Sequence, residues 1–271
     1  MAKGEQGKAR NGSRKNRRDD DVMRDDFEAR MEGPVKKSWT LHDLVPLEPG
    51  SDNQRAAIAA YCQGDHLAML GSAGAGKTTL ACYLAAGSLV RNEVEKIILV
   101  RSAVEQREQG FVPGTQEEKD AKFEEPYVSA FGHIFGHPTT YQWMKRRGLI
   151  EFRTTGNLRS LNFDNAVVVG DEVQNLNFEE LHTFITRLGP RSRLIMCGDQ
   201  AQCDLKRFEI KGLPIFEELA GDLPNLTVVK FSRHDCLRHG FVRAWLGAVE
   251  DWHKRREETR PVADITTKVA G

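Results

Sequence analysis

GSAGAGKT, residues 71–78, decides how this chain is read. It matches the pattern G-x-x-x-x-G-K-[ST], with a short apolar run at 67–70 before it and an alanine-rich helical stretch at 78–90 after it. Glycines let the backbone wrap closely around an anion and turn its N–H groups inward, and the start of the helix adds a favourable dipole. The stretch therefore predicts a phosphate cradle built by Gly71, Ser72, Ala73, Gly74, Ala75, Gly76, Lys77, Thr78 and Thr79. Lys77 would reach the β and γ phosphates of ATP, and Thr78 would offer its hydroxyl to Mg²⁺. A bare glycine-rich turn would carry the four fixed residues by chance in about one chain of this size in a hundred, before the strand and helix around it are counted.

Outward from the loop, β and α signals alternate. Apolar or β-branched runs fall at 96–100, 166–170, 193–197 and 226–231, with a further candidate strand at 150–153. Helical patterns fall at 53–62, 78–90 and 179–188. Buried strands separated by helices imply βαβ crossovers, so the expected fold is a three-layer α/β domain around a doubly wound, mainly parallel sheet. Between 104 and 165 glycine and proline punctuate the pattern, which reads as an insertion, helical in part around 127–135 and 140–147.

AVVVGDE, 166–172, is an apolar strand that ends in two acids. A carboxylate at the C-terminal tip of a strand beside the phosphate loop can hold Mg²⁺, and the next acid can polarise the attacking water. Asp171 is thus the expected metal carboxylate, together with Thr78, and Glu172 the expected base. The interval from Lys77 to Asp171 leaves room for a strand inserted between the two motifs. GDQAQ, 198–202, follows the strand at 193–197, and either Gln200 or Gln202 could sense the γ-phosphate.

Composition bounds the rest. The 271 residues carry 39 Lys and Arg against 39 Asp and Glu, so no uniformly basic surface holds nucleic acid. No apolar run approaches the roughly 20 residues that cross a bilayer, and the basic start lacks an apolar signal core, so membrane and secreted readings are set aside. Five scattered cysteines without a CxxC pair read as reduced thiols of a cytoplasmic protein. Residues 1–18 hold seven basic side chains against Glu5 and almost no apolar ones, and an acidic run follows at 19–26. The expected organisation is a disordered charged tail at 1–37, one ATPase domain at 38–252 and a charged tail at 253–271. His133 and His137 lie four apart, but Gly136 and Pro138 interrupt the helix and no third ligand is in place. Trp143, Lys145, Arg146 and Arg147 suit either nucleic-acid contact or a solvated helix end. Arg187 reads as a reach towards a neighbouring subunit or as a cation on a helix dipole.

Taken in order, GSAGAGKT, residues 100–114, Pro126-Tyr127, residues 167–189, residues 196–205 and residues 235–242 resemble the PhoH-like ATPases, over roughly 52–245. The resemblance implies a RecA-like P-loop NTPase core akin to the first motor domain of superfamily 1 helicases. It implies that Gln54 reads the adenine edge, that Arg101 and Ser102 belong to a segment facing nucleic acid, and that Gln202 couples the γ-phosphate to movement. It makes Arg238 the arginine finger, acting in cis or across a subunit boundary. Two departures stand out. The family's Arg-Gly pair is replaced around 158–161 by Leu-Arg-Ser-Leu, and the roughly 50 residues ahead of the core are too few for the ribonuclease domain of some relatives.

The function expected is Mg²⁺-dependent ATP hydrolysis coupled to single-stranded nucleic acid, RNA over DNA, in a homo-oligomer such as a hexamer. The alternative is a nucleotide-switched module that recruits a protein partner and turns over slowly. A small-molecule kinase would need an acceptor pocket, for which 172–175 gives no sign.

Overall fold

A computed structural model describes residues 39–102, 116–159, 161–206 and 208–258, and every element named below lies in the unit that starts at Thr40. The expected charged tail at 1–37, residues 104–114 of the insertion and the terminus beyond residue 258 lie outside the described residues. Six strands form one sheet: β1 (His66–Gly71), β2 (Lys96–Arg101), β3 (Ile150–Thr154), β4 (Ala166–Asp171), β5 (Arg193–Gly198) and β6 (Leu226–Phe231). Their order is β3-β2-β4-β5-β1-β6, and every pairing is parallel. The chain between Lys77 and Asp171 supplies β2 and β3, while in the sheet it is β5, from later in the chain, that separates β1 from β4.

The sequence explains which strands are central. β1, β2, β4 and β5 are apolar runs buried on both faces, as a parallel sheet covered by helices requires. β3 alternates buried and half-buried residues and ends the sheet. Its outward Glu151 is paired with Lys96 at 2.7 Å and Arg153 at 2.8 Å, charges that discourage another strand from adding there.

Helices cover both faces. On one side α1 (Asp52–Gln63) packs on β1 and β6, and α2 (Lys77–Val90) on β2, β4 and β5. Next to them α3 (Gln116–Phe135) and α4 (Thr140–Arg146) pack on β3. On the other side α5 (Phe178–Ile185) and α6 (Gly212–Leu219) press Leu181, Phe184, Leu213 and Phe216 onto Leu70, Val100, Val168 and Met196. A last helix, α7 (Gly240–Glu258), leaves Phe241 and Trp245 exposed.

Several boundaries differ from expectation. α3 runs unbroken through Pro126 and begins eleven residues earlier than the expected 127–135. The proline costs its turn one backbone bond, which the packing of Tyr127, Phe131 and Ile134 outweighs. α5 ends at Ile185, not 188, because the Thr186 hydroxyl donates back to the His182 and Thr183 carbonyls. His137 falls beyond the end of α3, past Gly136 with its φ of 67°, so it shares no helical face with His133.

Gly170 is a tight point in the middle of the sheet. A Cβ there would stand 2.7 Å from Cε1 of the fully buried Phe184. Gly170→Ala should therefore destabilise the fold by about 1–3 kcal/mol. In a chemical-denaturation series the double variant Gly170→Ala/Phe184→Leu should cost less than the two single changes added together, because the smaller side chain vacates the contested space.

Candidate functional site

Because all strands are parallel, the C-terminal tips of β1, β4 and β5 open on one edge of the sheet, the position at which such folds bind ligands. The loop 71–78 leaves β1 there and is held from three directions. The Ser72 N–H donates to the Phe231 carbonyl at the end of β6 at 3.0 Å, and the Leu237 N–H donates to the Gly74 carbonyl at 3.0 Å. The Gln54 side chain of α1 donates from Nε2 to the Ala75 carbonyl at 2.9 Å. Gly71, Gly74 and Gly76 have φ of 119°, 78° and 73°, and a Cβ on Gly71 would sit 1.9 Å from the Phe231 oxygen. Only glycine fits at the first of these positions.

Lys77 and Thr78 open α2. The Lys77 ammonium donates to the carbonyls of Gly71 at 2.6 Å and Ser72 at 2.8 Å, so it lies over the start of the loop. The Thr78 hydroxyl donates to Asp171 Oδ1 at 3.0 Å. Thr79 faces solvent in the first turn, and Ala75 is fully buried.

Asp171 is 4% exposed, and burial first, then the neighbouring Glu172 charge, push its carboxyl above the usual range. Arg101 and hydrogen bonds from Thr78 and Tyr127 pull the other way. Glu172 has a left-handed backbone, φ 53° and ψ 42°, uncommon for a residue with a side chain and of the kind that gathers at working sites. Its Oε2 accepts from Gln174 Nε2 at 2.6 Å. Gln174, 2% exposed, also accepts the Asp199 N–H at 2.9 Å, so one amide braces the acid against the loop after β5.

In that loop Gln202 donates to Asp199 Oδ2. Gln200 and Gln202 line a cavity of about 720 Å³ together with Gly71, Ser72 and Ala73, and Arg233 and Arg243 also face it. Both glutamine candidates thus stand beside the phosphate loop. Arg238 is exposed, and its Cγ lies 2.9 Å from where a Cβ of Gly74 would stand, which puts its stem against the loop of its own chain.

Some expected residues are occupied otherwise. Gln54 Oε1 accepts the Gly50 N–H at 2.7 Å, so both ends of its amide are engaged within the chain. Ser102 is 5% exposed and donates to the Asn175 carbonyl at 2.8 Å, so it does not form part of an outer surface. Lys145 pairs with buried Glu124 at 2.6 Å and Arg147 stacks on the Trp143 ring, so part of that cluster is engaged within the chain, although Lys145, Arg146 and Arg147 stay exposed. Arg187 donates to the Arg159 carbonyl at 3.0 Å, inside the segment where the family's Arg-Gly pair is missing.

Two side chains that hydrogen-bond the two acids were not singled out by sequence reasoning. Gln174 carried only the faint signal of an amide in a buried strand-tip turn, and Tyr127 only its place in a motif. The residues present suit Mg²⁺ and phosphate. A hydroxyl and a carboxylate converge on one point, both hard oxygen donors, beside the glycine-rich loop that opens α2. Among the described residues no group of three or more His, Cys, Asp or Glu side chains forms a cage, so phosphate oxygens and water would complete the coordination.

Asp171 also sets a pH dependence. Its folded carboxyl titrates above its unfolded value, so ionising it in place costs stability, a cost absent below the unfolded pKa near 4 and fully present above the folded one. Asp171→Asn should raise the melting temperature of the metal-free chain at neutral pH, and the gain should vanish as the pH falls below about 4. Thermal melts across that range check the sign.

A family model described as "PhoH-like protein" matches residues 46–250. A PhoH-like protein of Bacillus subtilis (strain 168) is 35% identical over 190 residues, covering 70% of this chain and 59% of the relative. One of Synechocystis is 35% identical over 211 residues, 78% of this chain and 63% of the relative. Protein PhoH of Escherichia coli (strain K12) is 32% identical over 208 residues, 76% and 59%. The matched region thus spans about three-fifths of these relatives' own length. Among solved structures, the large terminase of a thermophilic bacteriophage overlaps 77% of this chain and 50% of its own at a TM-score of 0.45 and 13% identity. Pif1 helicase from Candida albicans overlaps 71% and 42% at 0.34 and 16%. The family match and the strand–loop–helix geometry agree, and the chain belongs to the PhoH-like family, with a P-loop nucleotide-binding fold.

Proposed function

We propose that the chain hydrolyses ATP with Mg²⁺ and couples turnover to movement or remodelling of single-stranded nucleic acid, RNA in preference to DNA, as a homo-oligomer. The observation that carries the ATPase reading is the 3.0 Å contact between Thr78 and Asp171, made beside an acid held in a left-handed backbone. Lys77 exchanges its two carbonyl partners for phosphate oxygens, and the loop N–H groups bind the rest of the charge. Thr78 and Asp171 would hold Mg²⁺, which would supply positive charge to neutralise the phosphates. Glu172 accepts the proton of the attacking water, and Gln174 holds the carboxylate at the correct rotation. Gln202 reports the γ-phosphate to the loop after β5, and Gln54 ties the adenine side of the site to the loop at Ala75. Arg238 supplies the finger.

The nucleic-acid coupling rests on the family and on its likeness to the first motor domain of superfamily 1 helicases. The oligomer has a local support. Phe241 and Trp245, 76% and 62% exposed, stand one turn apart on α7 just past Arg238, apolar surface of the kind that marks contacts between chains. An assembly would bring a second wall to the nucleotide.

Lys77→Ala should abolish tight ATP binding, whereas Glu172→Gln should bind ATP as wild type does and turn it over about 10²-fold more slowly. Single-stranded RNA should raise wild-type turnover more than DNA of the same length. Unchanged turnover with saturating RNA and DNA would point instead to the slow, partner-recruiting module.

Arg238→Ala and Lys77→Ala subunits, each inactive alone, should partly restore hydrolysis when mixed if the finger crosses a subunit boundary. Mixtures that stay inactive favour the cis placement or a monomer.

A further inference from the structure

Asp171 has two oxygens and two hydroxyl donors, one for each. Thr78 donates to Oδ1, and Tyr127 of α3 donates to Oδ2 at 3.1 Å. Tyr127 is fully buried, and its ring packs against Phe152 with centroids 5.9 Å apart. One turn earlier on the same helix, Phe123 carries the Arg101 guanidinium at 5.8 Å from its ring centre. The hydroxyl is therefore delivered to the carboxylate by packed residues from β2, β3 and α3, with Tyr127 itself fully buried. A buried hydroxyl without a partner is costly, so the tyrosine and the carboxylate fix one another.

We propose that Tyr127 is the positioning residue of the metal carboxylate: by occupying Oδ2 it sets the rotation of Asp171 and presents Oδ1 to the Mg²⁺ that arrives with nucleotide at Thr78. The inference rests on the ATP and Mg²⁺ reading of this site. It goes beyond that reading in assigning α3, an element of the insertion, a part in metal binding. Partners of this kind orient a metal's ligands and their loss typically lowers metal affinity 10- to 100-fold. Tyr127 touches neither phosphate nor the water that attacks it, so its role is confined to holding the carboxylate.

The test measures ADP binding by calorimetry at a series of free Mg²⁺ concentrations and in EDTA, for wild type, Tyr127→Phe and Tyr141→Phe. Tyr127→Phe removes one oxygen and keeps the ring. Tyr141→Phe is the matched control, since Tyr141 is also fully buried against α3 but donates to Glu124 at 2.7 Å and not to Asp171. The Mg²⁺ concentration for half-maximal enhancement should rise about tenfold or more in Tyr127→Phe, with ADP affinity in EDTA unchanged and Tyr141→Phe matching wild type throughout. A shift under twofold, an equal loss of affinity in EDTA, or the same shift in Tyr141→Phe would overturn the assignment. A wild-type chain whose ADP binding ignores Mg²⁺ would instead overturn the metal reading itself, and this one with it.

Discussion

The hydrogen bond from Thr78 to Asp171 joins residues 93 apart in the sequence, and every chemical role assigned to this chain depends on that meeting. The bond cannot create it, since one such contact contributes about 1 kcal/mol. What creates it is the sheet. Each fully buried Val, Ile or Leu contributes roughly 1.5–3 kcal/mol, and β2 buries four such side chains and β4 three. With β4 and β1 both paired to β5 in parallel, their tips must open on the same edge.

The site so formed is not relaxed. Two acids stand side by side, one of them buried with its carboxyl pushed up, the other in a left-handed backbone. Such an arrangement costs stability unless a cation answers it, and a divalent ion is the largest local charge that could. Around it the polar groups are paired with care. Tyr127 and Thr78 hold Asp171, Gln174 holds Glu172, and Asn175 exchanges two bonds with Asp204, accepting from its N–H at 2.8 Å. These bonds tie the strand tip of β4 to the loop after β5, so a displacement of either loop reaches the acid that would act on water.

Much of this was legible in the chain itself. The expected strands formed within a residue or so of their expected ends, and for β1, β2, β4 and β5 the reason is that a strand buried on both faces has nowhere else to put Val, Ile and Leu. Lys77, Thr78 and Asp171 were readable because their spacing from strand tips is local. The helices α6 and α7 were not foreseen. The apolar face of α6 spans only eight residues, and that of α7 is largely exposed, so neither gives a long periodic signal. Tyr127 and Gln174 were invisible as participants for a different reason: a buried phenol or amide acquires its role from whatever lies across the core, and no window of sequence contains both partners. Pro126 misled in the opposite direction, since tertiary packing carried α3 through a residue that ends most helices.

The most direct measurement is amide hydrogen exchange with and without a slowly hydrolysed ATP analogue and Mg²⁺. Protection should concentrate in segments 71–78, 171–175 and 199–202, three stretches that touch only at the common sheet edge. Nucleotide that leaves those amides exchanging as before, or that protects some other part of the chain, would contradict the account.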